Sequence, residues 1–129
     1  MPKTVLIIDD DPAILRLLQF QLNAFGFEVI LSESGLQAIE LMKRKQIRLV
    51  VTDMRMPVAD GYDVISEIRE LYPETPIVLT TAHEVNGRVK EALRFESVVL
   101  VRKPFTEEEF KQAVQEAVTP SLRTFPSAA

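Results

Sequence analysis

The sequence predicts an open, doubly wound α/β fold: a five-stranded parallel sheet with helices on both faces. Two observations carry this expectation. Five short, unbroken runs rich in Val, Ile and Leu alternate with segments whose apolar residues recur at helical spacing; unbroken apolar runs suit strands buried on both faces, and strict strand-helix alternation gives a parallel sheet. Four of the five runs also end in a polar residue that is out of place in a core: Asp9 and Asp10, Asp53, Thr81 and Lys103. In such sheets ligands gather beyond the carboxyl ends of the strands. A chain of 129 residues suffices for one such domain and is too short for two of ordinary size.

The elements follow in order. Val5 to Ile8 forms the first strand, and Asp11 and Pro12 suit the cap and first position of a helix patterned by Ile14, Leu15, Leu18, Leu22 and Phe25. Gly26 supplies its stop. Phe27 to Leu31 is the second strand; the second helix runs from Ser34 to about Lys43, with Ser34 and Gln37 at capping-box spacing and Leu36, Ile39 and Met42 or Leu41 facing the core. Arg48 to Thr52 is the third strand, and Val64, Ile65, Ile68 and Leu71 mark a third helix closed by Tyr72-Pro73. Pro76 to Thr80 is the fourth strand. The helix from Asn86 to Phe95 is the least patterned, since only Val89, Ala92 and Leu93 mark it and Gly87 lies within it. Val98 to Arg102 is the fifth strand, and Thr106 with Glu109 forms a second capping box opening a helix patterned by Phe110, Ala113, Val114, Ala117 and Val118. Residues 1–118 form the domain, and 119–129, with Pro120 and Pro126, read as a tail or the start of a linker.

Composition narrows the function. A net charge of −4 offers no footprint for a nucleic-acid backbone. The chain has no cysteine, which excludes disulfides and thiolate metal sites. The apolar runs are strand-sized, so neither a signal peptide nor a membrane span is expected, and a cytoplasmic location fits.

A strand order of 2-1-3-4-5 would bring Asp9, Asp10 and Asp53 into one pocket, with Thr81 and Lys103 on its far side. Carboxylates that close repel by about 4 kcal/mol per pair at an effective dielectric near 20, so the cluster calls for a cation. Magnesium, a hard ion that takes one or two carboxylates, waters and a phosphate oxygen, suits it; Lys103 and Thr81 suit the phosphate. Each residue alone has an ordinary reading: Asp11 as a helix cap, Asp53 as a turn-former, Thr81 as a cap, Lys103 as a solvated lysine, His83 as a loop residue. Together they are hard to explain that way.

These residues resemble the receiver domain of two-component response regulators. The motifs stand in order: Val5-Leu6-Ile7-Ile8-Asp9-Asp10-Asp11-Pro12, Thr52-Asp53-Met54-Arg55-Met56-Pro57 with Asp60-Gly61, Thr80-Thr81-Ala82, and Lys103-Pro104-Phe105, within a match from Lys3 to about Val118. The resemblance implies a flavodoxin-like (βα)5 fold and a phosphorylation-controlled module that is not an enzyme acting on a separate substrate. It implies that Asp53 takes a phosphoryl group from a sensor histidine kinase or phosphotransfer protein. Asp10 and Asp53 would bind Mg²⁺ directly, Asp9 through a water, and Arg55 through its backbone carbonyl. Lys103 would pair with Asp53 and the phosphoryl oxygens, and Thr81 would hydrogen-bond the product. A cis bond before Pro104 is implied as well.

The departures from the family pattern bear on output. Leu100 stands where the family often has a Phe or Tyr that changes rotamer with Thr81, and Glu96-Ser97 replaces a pair of small residues. Arg55 and His83 occupy positions that flank the attacking water in dephosphorylation and would tune lifetime. The expected partners are an output domain or downstream protein and a phosphorylation-dependent homodimer, and the chain reads as free-standing or as the amino-terminal piece of a longer regulator. A receiver-like interaction module whose output ignores phosphorylation is the alternative. A flavin-binding or Mg²⁺-dependent hydrolytic enzyme shares the fold class, but the sequence has no glycine-rich or hydroxyl-rich phosphate loop after the first strand.

Overall fold

The structure is a computed structural model that describes residues 3–56, 59–82 and 87–119. Five strands, β1 (Thr4–Ile8), β2 (Glu28–Ser32), β3 (Leu49–Asp53), β4 (Ile77–Thr81) and β5 (Val98–Arg102), alternate with α1 (Pro12–Ala24), α2 (Gly35–Arg44), α3 (Gly61–Leu71), α4 (Gly87–Ala92) and α5 (Glu107–Val118). All pairings are parallel and the order is β2-β1-β3-β4-β5, as expected. Because the strand order runs outward from β1 in one direction to β2 and in the other to β3, β4 and β5, α1 and α5 pack on one face and α2, α3 and α4 on the other.

Period-2 alternation divides the strand side chains between two cores. Val5, Ile7, Leu49, Val51, Val78, Val99 and Val101 pack with Leu15, Leu18, Leu22 and Phe110; Leu6, Ile8, Val50, Ile77 and Leu79 pack with Ala38, Ile39, Val64, Ile65, Ile68 and Val89. Burial on both faces is why the strands read as unbroken apolar runs.

Helix ends are fixed locally. Asp11 accepts from the Ala13 N–H at 2.9 Å and caps α1. At the other end Gly26, with φ +97°, donates to Asn23, while Phe27 donates to Leu22, so the stop is a Schellman turn. Thr106 and Glu109 form the expected reciprocal box. Asp60 and Asp63 form another that the sequence reading did not anticipate.

Several expectations are corrected in detail. Ser34 caps α2 by accepting from Gln37, but the box is not reciprocal: the Gln37 side chain instead accepts from Glu33 N–H and from the buried Ser32 hydroxyl. Leu36 is 72% exposed, because the buried stripe of α2 runs Gly35, Ala38, Ile39, Met42 and leaves position 36 outside it. Leu71, at the end of α3, is also exposed. The fourth helix ends at Ala92, not Phe95; its last turn tightens through Arg94 N–H to Glu91 and Phe95 N–H to Ala92. Asn86, where that helix was expected to begin, and residues 120–129 of the expected tail lie outside the described residues. Strands β2, β3 and β4 each begin and end one residue later than expected, so Asp53 and Thr81 are the last residues of β3 and β4.

Gly61 is required by close approach. A Cβ there would lie 2.8 Å from the Asp53 carbonyl oxygen and 2.8 Å from the Met54 Cα, both backbone atoms. Its N–H donates to the Met54 carbonyl at 2.8 Å, locking the start of α3 against the end of β3. Gly61→Ala is therefore expected to destabilise the fold by about 1–3 kcal/mol, the ordinary cost of overpacking, measured by urea denaturation. Unchanged stability would show that β3 and α3 separate freely.

Candidate functional site

The polar cluster grows out of the strand alternation. On the face packed by α1 and α5, β1 continues Val5, Ile7 to Asp9; β3 continues Leu49, Val51 to Asp53; β4 continues Val78 to Thr80; and β5 continues Val99, Val101 to Lys103. Each apolar column is thus topped at the carboxyl edge of the sheet by a polar residue, and the in-register pairing of β1 with β3 and β3 with β4 brings those tops together. Asp10 and Thr81 follow on the opposite parity, after Ile8 and Leu79.

Asp9 and Asp53 are 2% and 9% exposed, whereas Asp10 is open to solvent. One carboxylate oxygen from each of Asp9, Asp10 and Asp53 lies within 4.8 Å of the other two. The Lys103 ammonium reaches both buried acids, at 3.2 Å from Asp53 Oδ1 and 3.4 Å from Asp9 Oδ2. Asp9 also accepts from the Asp11 N–H at 2.9 Å, and Asp53 Oδ1 lies 3.3 Å from the Thr80 hydroxyl. Burial pushes the Asp9 carboxyl above the ordinary carboxylate range and the Asp53 charge adds to it, while the Asp11 N–H and Lys103 pull the other way.

Of the expected site residues among those described, Asp9, Asp10, Asp53, Arg55, Thr81 and Lys103 fall at this edge, whereas Leu100 lies within β5. Thr81 is buried at the end of β4, and its carbonyl accepts the Lys103 N–H at 2.7 Å. The bond between Lys103 and Pro104 is cis. Arg55 is exposed two residues beyond Asp53, and Leu100 is half-buried against the second core. His83 and Pro57 lie outside the described residues. The sequence places Thr80 in the fourth strand and in the Thr80-Thr81-Ala82 motif but assigns it no role in the site; counting two from the core residue Val78 would have found it. The three carboxylates form a hard-oxygen donor set that fits a divalent cation such as Mg²⁺, with two ligands fixed by burial and one adaptable in solvent.

Residues 5–115 match the response regulator receiver domain family. The transcriptional regulatory protein GlrR of Escherichia coli (strain K12) is 31% identical over 120 residues, 93% of this chain but 27% of that protein. The probable C4-dicarboxylate response regulator DctR of Priestia megaterium is 36% identical over 115 residues, 88% of this chain and 50% of that one. The chain therefore spans half or less of these curated relatives. A crystal structure of a response regulator receiver domain protein from Clostridium thermocellum superposes with a TM-score of 0.83 at 28% identity, over 92% of this chain and 95% of that one.

The raised Asp9 pKa has a consequence for stability. The folded chain holds this proton to higher pH than the unfolded chain does, so protonation favours folding at and below the ordinary carboxylate pKa of 3.8, and that contribution is lost as pH rises through the folded value. In metal-free buffer at neutral pH, Asp9→Asn is expected to stabilise the domain, and near pH 3 the gain should vanish. Paired urea titrations at the two pH values measure it; a loss of stability at neutral pH would mean the Lys103 contact outweighs burial.

Proposed function

Because the chain belongs to the response regulator receiver family, we propose that it is the phosphoryl-accepting switch of a two-component pathway and that Asp53 is the residue modified. The observation that carries this reading is the single ammonium of Lys103 shared by Asp53 and Asp9 beside a third carboxylate at the open sheet edge. Such an arrangement balances charge around an oxygen nucleophile at the carboxyl edge of the sheet.

A carboxylate oxygen of Asp53 attacks the phosphorus of a phosphohistidine in line. The O–P bond forms as the N–P bond breaks, and the electron pair of the broken bond stays on the donor imidazole. Asp10 and Asp53 would hold Mg²⁺ directly, Asp9 through a water and Arg55 through its carbonyl. The ion supplies neutralisation of the charge on the transferring phosphoryl oxygens. Lys103 moves from the Asp53 carboxylate to those oxygens, and the Thr81 hydroxyl hydrogen-bonds the product. Positioning and charge are the whole of the chain's contribution, so it modifies itself and turns over no separate substrate.

The added charge draws Thr81 and Lys103 inward and favours one of two pre-existing states. A sensor histidine kinase or phosphotransfer protein supplies the group, and an output domain, a downstream protein or a second copy reads the result, in the cytoplasm. Among the described residues no helix is long and apolar enough to cross a membrane. Arg55 and His83 tune the lifetime of the modification. Leu100, in place of an aromatic, supports the second reading, a module whose output ignores phosphorylation; the complete carboxylate, lysine and threonine set weighs against it.

Incubation with acetyl phosphate and Mg²⁺, followed by intact-mass measurement, is expected to give one phosphoryl adduct on the wild type and none on Asp53→Ala or in EDTA. Lys103→Ala should form it about a hundredfold more slowly, the scale of losing one preorganised charge contact. An adduct of equal yield on Asp53→Ala would overturn the assignment.

A further inference from the structure

We propose that Thr80 is a positioning residue that orients the Asp53 carboxylate for attack; this rests on the reading of Asp53 as phosphoryl acceptor. Asp53 and Thr80 are in-register partners at the last rung between β3 and β4, so their side chains project side by side from the same face. Thr80 is 1% exposed, and its Oγ1 lies 3.3 Å from Asp53 Oδ1. Among the described residues, this hydroxyl otherwise reaches only the Thr52 carbonyl oxygen, at 3.5 Å. One proton serves both, and the nearer acceptor is also the charged one, which makes the stronger bond.

An aspartate needs such a contact. The torsion about its Cβ–Cγ bond is broad and carries little preference of its own. Here Oδ1 lies within reach of two donors, Thr80 Oγ1 and Lys103 Nζ at 3.2 Å, while no described side chain bonds Oδ2. The carboxylate plane is thereby held with one oxygen occupied and the other left to react.

The two donors differ in kind. Lys103 has a long, mobile side chain that leaves Oδ1 when a phosphoryl group draws it away. Thr80 is β-branched, stiff about χ1 and enclosed between β3 and β5, so it stays. When Oδ2 forms its bond to phosphorus, Oδ1 becomes the carbonyl oxygen of the acyl phosphate and still accepts from Thr80. The hydroxyl keeps its proton throughout, and with acetyl phosphate the electron pair of the broken O–P bond departs with acetate.

The test compares wild type, Thr80→Val, Thr80→Ala and Thr80→Ser in the rate of phosphorylation by acetyl phosphate, together with Mg²⁺ affinity by calorimetry and the melting temperature. Thr80→Val removes the hydroxyl and keeps the shape. It is expected to lower the maximal rate about tenfold, the scale of one hydrogen bond to a charged group, with the half-saturating acetyl phosphate concentration and the Mg²⁺ affinity unchanged within twofold. Thr80→Ala should show the same loss, and Thr80→Ser should restore most of the rate. A residue that only fills space would shift melting without this pattern. The proposal is overturned by a Thr80→Val rate within twofold of wild type, by a rate loss that merely tracks weaker Mg²⁺ binding, or by no rescue in Thr80→Ser. Absence of phosphorylation in the wild type would instead overturn the Asp53 reading, and the role of Thr80 with it.

Discussion

The contact on which the site depends is the Lys103 ammonium placed between two buried carboxylates, 3.2 Å from Asp53 and 3.4 Å from Asp9. Without it, two acids that are almost wholly inaccessible would face each other and an exposed third. The geometry that permits the contact is specific. Lys103 follows β5, Asp53 ends β3, and β4 lies between them. Adjacent strands are about 4.8 Å apart, so the lysine crosses roughly two strand spacings over the end of β4. The residues there, Thr80 and Thr81, are small enough to be crossed and polar enough to lie beneath a charge.

The rest of the fold keeps that edge in place. Gly61 lets the start of α3 lie against the backbone just after Asp53. Arg88 binds Asp60 at 2.9 Å and Asp63 at 3.2 Å, with its guanidinium 4.6 Å above the Tyr62 ring, which ties the start of α4 to the capping box of α3. Partial burial alone would raise the Asp60 pKa, but the Asp63 N–H and the Arg88 guanidinium outweigh it and hold the carboxyl below its ordinary value. This contribution to stability is present above the ordinary carboxylate pKa and lost as pH falls through the folded value, the opposite sense to Asp9. The two acids therefore push the acid limb in opposite directions, Asp60 as a latch between α3 and α4 and Asp9 as a buried member of the carboxylate cluster.

Leu100 and the Glu96-Ser97 pair, singled out in the sequence, have defined surroundings in the fold. Leu100 is half-buried against the α2, α3 and α4 core, an apolar contact rather than an aromatic ring with a polar tip. Ser97 takes φ +65° between the shortened α4 and β5, and the Arg69 guanidinium donates to the Glu96 carbonyl at 2.8 Å and reaches the Ser97 carbonyl at 3.4 Å. The Glu96-Ser97 pair thus has a defined structural solution: an arginine from α3 donates to the carbonyls of the segment between α4 and β5. That ties α3 to the segment entering β5.

The sequence by itself determined the fold class and all but Thr80 of the polar residues at the sheet edge, because a strand buried on both faces leaves an unbroken apolar run and a polar residue ending it stands out; the order 2-1-3-4-5 was expected as the one that brings those residues together. It also determined the local stops and caps at Gly26, Asp11 and Thr106, since these are settled by bonds within a few residues. It misjudged Leu36, where apolar character without helical phase says nothing about burial, and the Ser34 box, where Gln37 found a better donor in Ser32. Only the tertiary structure decided which atoms meet. That Lys103 bridges Asp9 and Asp53, that Asp9 rather than Asp10 is enclosed, and that Thr80 lies on Asp53 Oδ1 follow from in-register pairing between segments distant in the chain. Period-2 alternation states which face a residue takes; only the pairing of strands states what it finds there.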